Sequence, residues 1–363
     1  MFLKLTYQFY PLEIFHIIFP IVLTFGFIAI YALIGVYLER KIAAFIQDRV
    51  GPDEVGYKGT LQTFADILKL LQKEIVIPDS ADKILFWIAP IVIFSSVFAG
   101  FAVLPFSNSN SYSRMNLALL WVMSIVSIDA IGILMAGWAS NNKYSLLGSM
   151  RAISQMIAYE IPLGFSILSI AIIYGTLNIQ QIIELQSKEG YLWGLWNLKD
   201  YGGFFLWSIV QHPHLILVFI IFFITGLAEC NRAPFDLPEA ESELIAGFHA
   251  EYGGFAFATI MLAEYANMLI VSLLSVIMFF GGWNSPFPNL GNFVLYEWTN
   301  GGLFWSSFWL FIKTLPLIFI MMWIRWTFPR FRADQLLKFS WKILLPFSIL
   351  LTLISAFWKI ILY

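Results

Sequence analysis

The chain has 363 residues, 60% of them hydrophobic and 12% charged, with a formal net charge of -2. A soluble domain carries about 25% charged residues, so this chain cannot clothe a water-facing surface; its net charge says nothing about nucleic acid, no basic tail occurs, and no nucleic-acid partner is expected. The one cysteine, Cys230, excludes a disulfide framework and any cluster ligated by cysteines of this chain.

About 20 apolar residues are needed to cross a hydrocarbon core of about 30 Å. Eight such runs are predicted, at 14–38, 84–106, 117–139, 150–174, 206–228, 254–280, 304–327 and 342–362. The expected fold is therefore an all-α polytopic membrane protein, one membrane domain over residues 1–363. The first run is too long for a signal-peptide core and is expected to remain in the protein. The 36 Phe and 14 Trp suit a lipid-facing exterior with aromatic belts.

The basic residues orient the runs. Loops one, three, five and seven carry 7, 2, 1 and 5 Lys/Arg, against five on the other side (Lys4, Arg114, Lys188, Lys199 and Lys359). The positive-inside rule then places the odd loops in the cytoplasm, or a mitochondrial matrix, and both termini outside. The long outer loop 175–205 reads as a connector.

The first cytoplasmic loop holds two features. Residues 39–59 carry Glu39, Arg40 and Lys41 at the exit of the first run, then Arg49 and the turn residues Gly51, Pro52, Gly56 and Gly59. Snorkelling explains Arg40 and Lys41 but fits Glu39 poorly. Residues 61–73 then place Gln62, Asp66, Lys69 and Lys73 on one helical stripe, with Leu61, Phe64, Ala65, Leu68 and Leu71 opposite. This amphipathic helix is too short to span. It is expected to lie in the interface with its apolar face inward, either pinning the loop or walling a cavity.

Acids inside apolar runs cost at least ~2.5–3.5 kcal/mol each and mark function by default. Asp129, Glu160 and Glu264 lie in the third, fourth and sixth runs. They must pair, face water or be protonated, with a structural hydrogen bond as the alternative. The acidic loop 229–253 is denser still. Glu229, Asp236, Glu239, Glu241, Glu243 and Glu251 face one base, Arg232, with Phe235 and other apolar residues interleaved. Asp236 and Glu239 fit the start of a helix, with Asp236, Glu239 and Glu243 on one face. Apolar interleaving argues for acids beside a cavity or water chain, suited to proton uptake and release. No phosphate-binding loop, HExxH, CxxC or GxSxG occurs. The four histidines, His16, His212, His214 and His249, form no mid-span pair for haem.

The strings ERKIAAFIQDRVGP, GTLQTFADILKLLQKE, YEIPL, AECNRAPFDLPEAESELIAGFHAEY and PRFRADQLLKFSWKILLP closely resemble the H subunit of proton-pumping NADH–quinone oxidoreductase, respiratory complex I, whose mitochondrial equivalent is NADH dehydrogenase subunit one. They follow in matching order from about residue 20 to 350. The resemblance implies a subunit without flavin, iron–sulfur cluster or haem. Such a subunit forms the membrane half of a chamber for quinone (ubiquinone or menaquinone), roofed by hydrophilic partner subunits and neighboured by antiporter-like membrane subunits. It implies that Glu39, Arg40, Arg49, Asp66, Arg232 and Phe235 line or support the quinone site. It likewise implies that Asp129, Tyr159, Glu160, Glu229, Asp236, Glu239, Glu241, Glu243, Glu251 and Glu264 form the proton path. No residue of this chain is expected to be catalytic alone or to ligate a metal. Ala333 departs from the tyrosine usual before this Asp, which weakens the carry-over of Arg330 and Arg332. A homologous subunit of an energy-converting hydrogenase and a stand-alone transporter are the competing readings; no repeated halves favour the latter. The length and the long second outer loop lean towards a bacterial cytoplasmic membrane.

Overall fold

The computed structural model describes residues 11–107, 115–188, 191–192, 196–197, 203–237, 247–287 and 302–362. The chain runs through α1 (Pro11–Ile46), α2 (Gln62–Gln72), α3 (Lys83–Phe101), α4 (Ala118–Val126), α5 (Ile128–Ala139) and α6 (Lys143–Tyr174). It continues through α7 (Ile179–Lys188), α8 (Ser208–Gln211), α9 (His214–Glu229), α10 (Gly254–Phe279), α11 (Gly302–Thr327), α12 (Ala333–Phe339) and α13 (Leu345–Leu362). A two-residue antiparallel ladder pairs Tyr191 with Asn197. Helix α10 is the hub, packed on α3, α11 and α9, while α6 packs on α5, α9 and α13. In its most apolar stretch α10 is 83% buried, against 17% for α1, which stands at the rim.

Local chemistry sets the boundaries. Asp82 caps α3 by accepting from the Ile84 and Leu85 amides at 3.1 and 3.4 Å. Asn142 caps α6 through the Tyr144 amide at 3.0 Å, while its amide nitrogen donates to Glu251 at 2.8 Å. Gly175, at φ 69, ends α6 with a left-handed turn.

Seven helices among the described residues are long and apolar enough to span, fewer than the eight runs expected. The difference lies in the run 206–228. Pro213 holds His212 in extended backbone, so α9 starts only at His214. Its 16 residues reach about 24 Å, short of the ~30 Å core. The third run is likewise two helices, α4 and α5, joined at Ser127. The last run begins earlier than predicted, at Ala333, and contains a π-helical segment, Ser340–Leu344.

That segment answers a fault in α6. Pro162 has no N–H, so the carbonyl of Ala158 loses its helical donor. The Ser340 hydroxyl supplies one at 2.5 Å, and the Tyr159 hydroxyl donates to Leu336 O at 3.0 Å. At the far end of α10, Lys313 donates to the carbonyls of Phe280, Gly282 and Asn284 at 2.9, 3.0 and 2.6 Å. The loop 175–205 is thus more than a connector: Gln186 of α7 donates to Ile277 O and Met278 O, both at 3.1 Å, sealing the same helix end.

Candidate functional site

The first loop is tied down by side chains. Arg40 pairs with Asp66 at 2.5 Å, and Gln62 donates to the other Asp66 oxygen at 3.2 Å. Lys41 reaches Pro52 O at 2.6 Å and Tyr37 reaches Lys58 O at 3.0 Å. Helix α2 lies against α1 and α10. Its polar stripe, through Asp66, faces the first helix. Leu61, Phe64, Leu68 and Leu71 are exposed rather than buried within the chain. Arg49 is exposed, its backbone N–H donating to Ala44 O at 2.9 Å.

Immediately before Arg40 in α1, Glu39 is buried. One of its oxygens receives Arg232 at 2.6 Å and the Tyr265 hydroxyl at 2.7 Å; the other receives Arg325 at 2.5 Å. The Arg232 Nε lies 2.8 Å from Glu264, an ion contact too bent for a hydrogen bond, and its guanidinium stacks 4.3 Å over the Tyr265 ring. Two carboxylates thereby balance two guanidiniums, which is what a buried charge requires. Neighbouring acids hold the Arg232 guanidinium firmly charged despite its burial.

Glu264 also opens onto a cavity of about 30 Å³, lined by Asp129, Glu229, Cys230, Asn231, Asn267 and apolar side chains. That is room for about one water. Asn267 donates to Asp129 at 3.2 Å. The Ser127 hydroxyl, at the break between α4 and α5, bonds Glu160. Glu160 and Asp129 lie within electrostatic reach of Glu229. The acids expected from the sequence thus fall into a connected series: Glu160, then Glu229 with Asp129, then Glu264, Arg232 and Glu39.

Other expected residues sit around this series. Phe235 is buried between Tyr159 and Phe331, with ring centroids 5.4 and 5.7 Å away. Asp236 pairs with Arg330 at 3.0 Å, which gives the seventh-loop arginine a definite partner. Glu251 is fixed on Asn142 at the α6 cap. Glu239, Glu241 and Glu243, with the helix start expected there, lie outside the described residues. Sequence reasoning missed Tyr265, Asn267, Gln155 and Ser127, which are neutral polar residues in apolar runs. It counted Arg325 only among the five basic residues of loop seven.

The end of the acidic loop packs tightly on α6. A Cβ on Gly148 would lie 2.9 Å from the Gly247 Cα, so only glycine permits this approach. Nearby, His249 packs against Phe248 and Phe257, and burial pushes its imidazole down to about 4. The unfolded chain titrates near 6.5 and takes the proton first as pH falls. Stability from His249 is therefore present above about pH 6.5 and is lost towards about pH 4. The melting temperature of the detergent-solubilised complex should fall across this window, and His249→Phe should make the fall shallower. An equally steep fall in that variant would contradict the assignment.

The sequence profile of the NADH dehydrogenase family matches residues 19–356. The second NADH-quinone oxidoreductase H subunit of Cytophaga hutchinsonii is 47% identical over 360 residues, covering 94% of this chain and 99% of the relative. The H subunit of Chlorobaculum tepidum is 49% identical over 335 residues, covering 92% and 90%. That of Chlorobium luteolum is 50% identical over 335 residues, covering 92% and 87%.

Proposed function

This chain belongs to the NADH dehydrogenase family as an H subunit of NADH-quinone oxidoreductase, a multi-pass protein of the bacterial inner membrane, and from that premise we propose that it forms the membrane side of a quinone-binding chamber and passes the consequence of quinone reduction into a line of proton-carrying acids. It works as one subunit of the enzyme complex. Hydrophilic subunits cover the face that carries loop one and the acidic loop, and antiporter-like membrane subunits receive the coupling.

The observation that carries this reading is the bridge at Arg232. One guanidinium holds Glu39, on the helix that leads into the first loop, and Glu264, which lines the acid cavity. A change of charge or position at the loop-one end is then felt at the cavity without any long-range device, because both carboxylates compete for one cation. Quinone is the substrate here. Arg40, Arg49, Asp66 and Phe235 shape its approach, and Asp129, Tyr159, Glu160, Glu229, Asp236, Glu239, Glu241, Glu243 and Glu251 belong with Glu264 to the proton line.

Asp66→Asn tests the quinone end. It removes the charge that holds Arg40 and keeps the size of the side chain. The pair is partly exposed, so stability should change by under about 1 kcal/mol. The assembled variant should instead show a severalfold higher KM for quinone or a shifted sensitivity to quinone-site inhibitors. Normal quinone kinetics and normal inhibitor sensitivity would remove Asp66 from the site.

A further inference from the structure

Gln155 lies in α6 with none of its surface exposed, and no step above uses it. Its amide nitrogen carries two hydrogens. Two backbone carbonyls receive them, Ala228 O at 2.7 Å and Phe235 O at 2.6 Å. These acceptors stand at the two ends of the segment that leaves α9 and contains Glu229 and Arg232. Asn231, at φ 50, turns the chain back so that both carbonyls converge on one side chain. The amide has one workable orientation, because its inverse would set Oε1 against two carbonyl oxygens. The same nitrogen also lies 3.5 Å from the Asn231 Oδ1, a longer contact within the same loop; its own Oε1 is buried and has no hydrogen-bond partner among the described residues, so donation into the 228–235 loop is what the amide contributes.

We propose that Gln155 is a positioning residue, a clamp that closes the 228–235 loop and holds Glu229 in the acid cavity and Arg232 between Glu39 and Glu264 as one rigid unit. The proposal rests on the reading in which those two residues join quinone reduction to proton transfer. Without the clamp, Arg232 keeps its partners but its motion no longer moves Glu229 with it. The charged and titratable groups around the clamp are Glu229, Cys230 and Arg232 in the loop, Asp236 with Arg330 beyond it, and, along α6, Arg151 one turn before Gln155 and Tyr159 and Glu160 one turn after it.

The test uses the assembled complex in proteoliposomes. Gln155→Met keeps the length and removes both donors; Gln155→Glu keeps the shape and, when ionised, also donates nothing. The Met variant should retain quinone reduction while its protons moved per electron fall at least twofold. The Glu variant should show the same defect only where its carboxyl ionises, which burial and the two facing carbonyls move above neutral pH, and should recover part of the coupling as pH falls back through that point and an O–H returns to one carbonyl. Packing alone would give no acid recovery. A wild-type ratio in the Met variant, or a Glu variant whose pH profile parallels wild type, would overturn the clamp. Where the Met variant fails to assemble, the Glu profile decides. Glu229→Gln runs alongside. An unchanged ratio there would defeat the coupling reading itself, whereas a lowered ratio there with a normal Gln155→Met would defeat the clamp alone.

Discussion

Arg232→Met is expected to cost the complex about 3–5 kcal/mol and most of its quinone reductase activity. Methionine fills a similar length but leaves Glu264 without its cation and Glu39 with Arg325 as its one remaining cation, beside the Tyr265 hydroxyl. A carboxylate stranded in a buried site pays full desolvation, which is why breaking a buried pair is worse than never having one. Against a typical stability of about 5–15 kcal/mol, the loss should appear as a lower melting temperature and less assembled complex. Adding Glu264→Gln to Arg232→Met removes the stranded charge. The double variant should therefore regain part of the stability but none of the coupling, a non-additivity expected of residues in direct contact. Wild-type melting and activity in Arg232→Met would mean that the bridge holds nothing together.

Much of this arrangement is legible in the amino-acid sequence, and the reasons are physical. Hydropathy reads composition over a window, so it finds α10 and α11 nearly to the residue and the start of α3, whose end it overshoots by five residues. It overlooks Pro213, because one proline changes mean hydropathy little yet ends the helix at His212. It also starts α6 late: Lys143 and Arg151 look like loop residues, but Asn142 supplies a cap and the helix extends past the apolar stretch. Asp129, Glu160, Glu229 and Glu264 stand out because charge among apolar residues is costly. Their neutral partners do not. Tyr265, Asn267 and Gln155 each cost little to bury once bonded, and only the fold reveals which carboxylate or carbonyl each one meets. Arg325 is masked by its place in the last turn of α11, where a snorkelling arginine is ordinary. In α2 the amphipathic pattern identifies the apolar face, and the fold adds which side the chain itself holds: the Asp66 stripe, through Arg40.

The second large effect is expected at the acids. Replacing Glu160, Glu229 and Glu264 together by Gln keeps their size and removes three titratable protons. Folding should survive, since Glu160 and Glu264 lie inside spans, where an acid carries an insertion cost of ~2.5–3.5 kcal/mol that their replacement relieves and that offsets the loss of the Glu264 contact to Arg232. Arg232 still keeps Glu39 at 2.6 Å. Electron transfer from NADH to an artificial hydrophilic acceptor should be unchanged, because in the proposed reading these acids act after quinone is reduced. What should fail is the conversion of quinone reduction into proton movement. The direct measurement is protons moved per electron, taken together with the quinone reductase rate, in proteoliposomes of the fully assembled triple variant. The ratio should fall to less than half of wild type; an unchanged ratio and an unchanged quinone reductase rate would contradict the proposed coupling line.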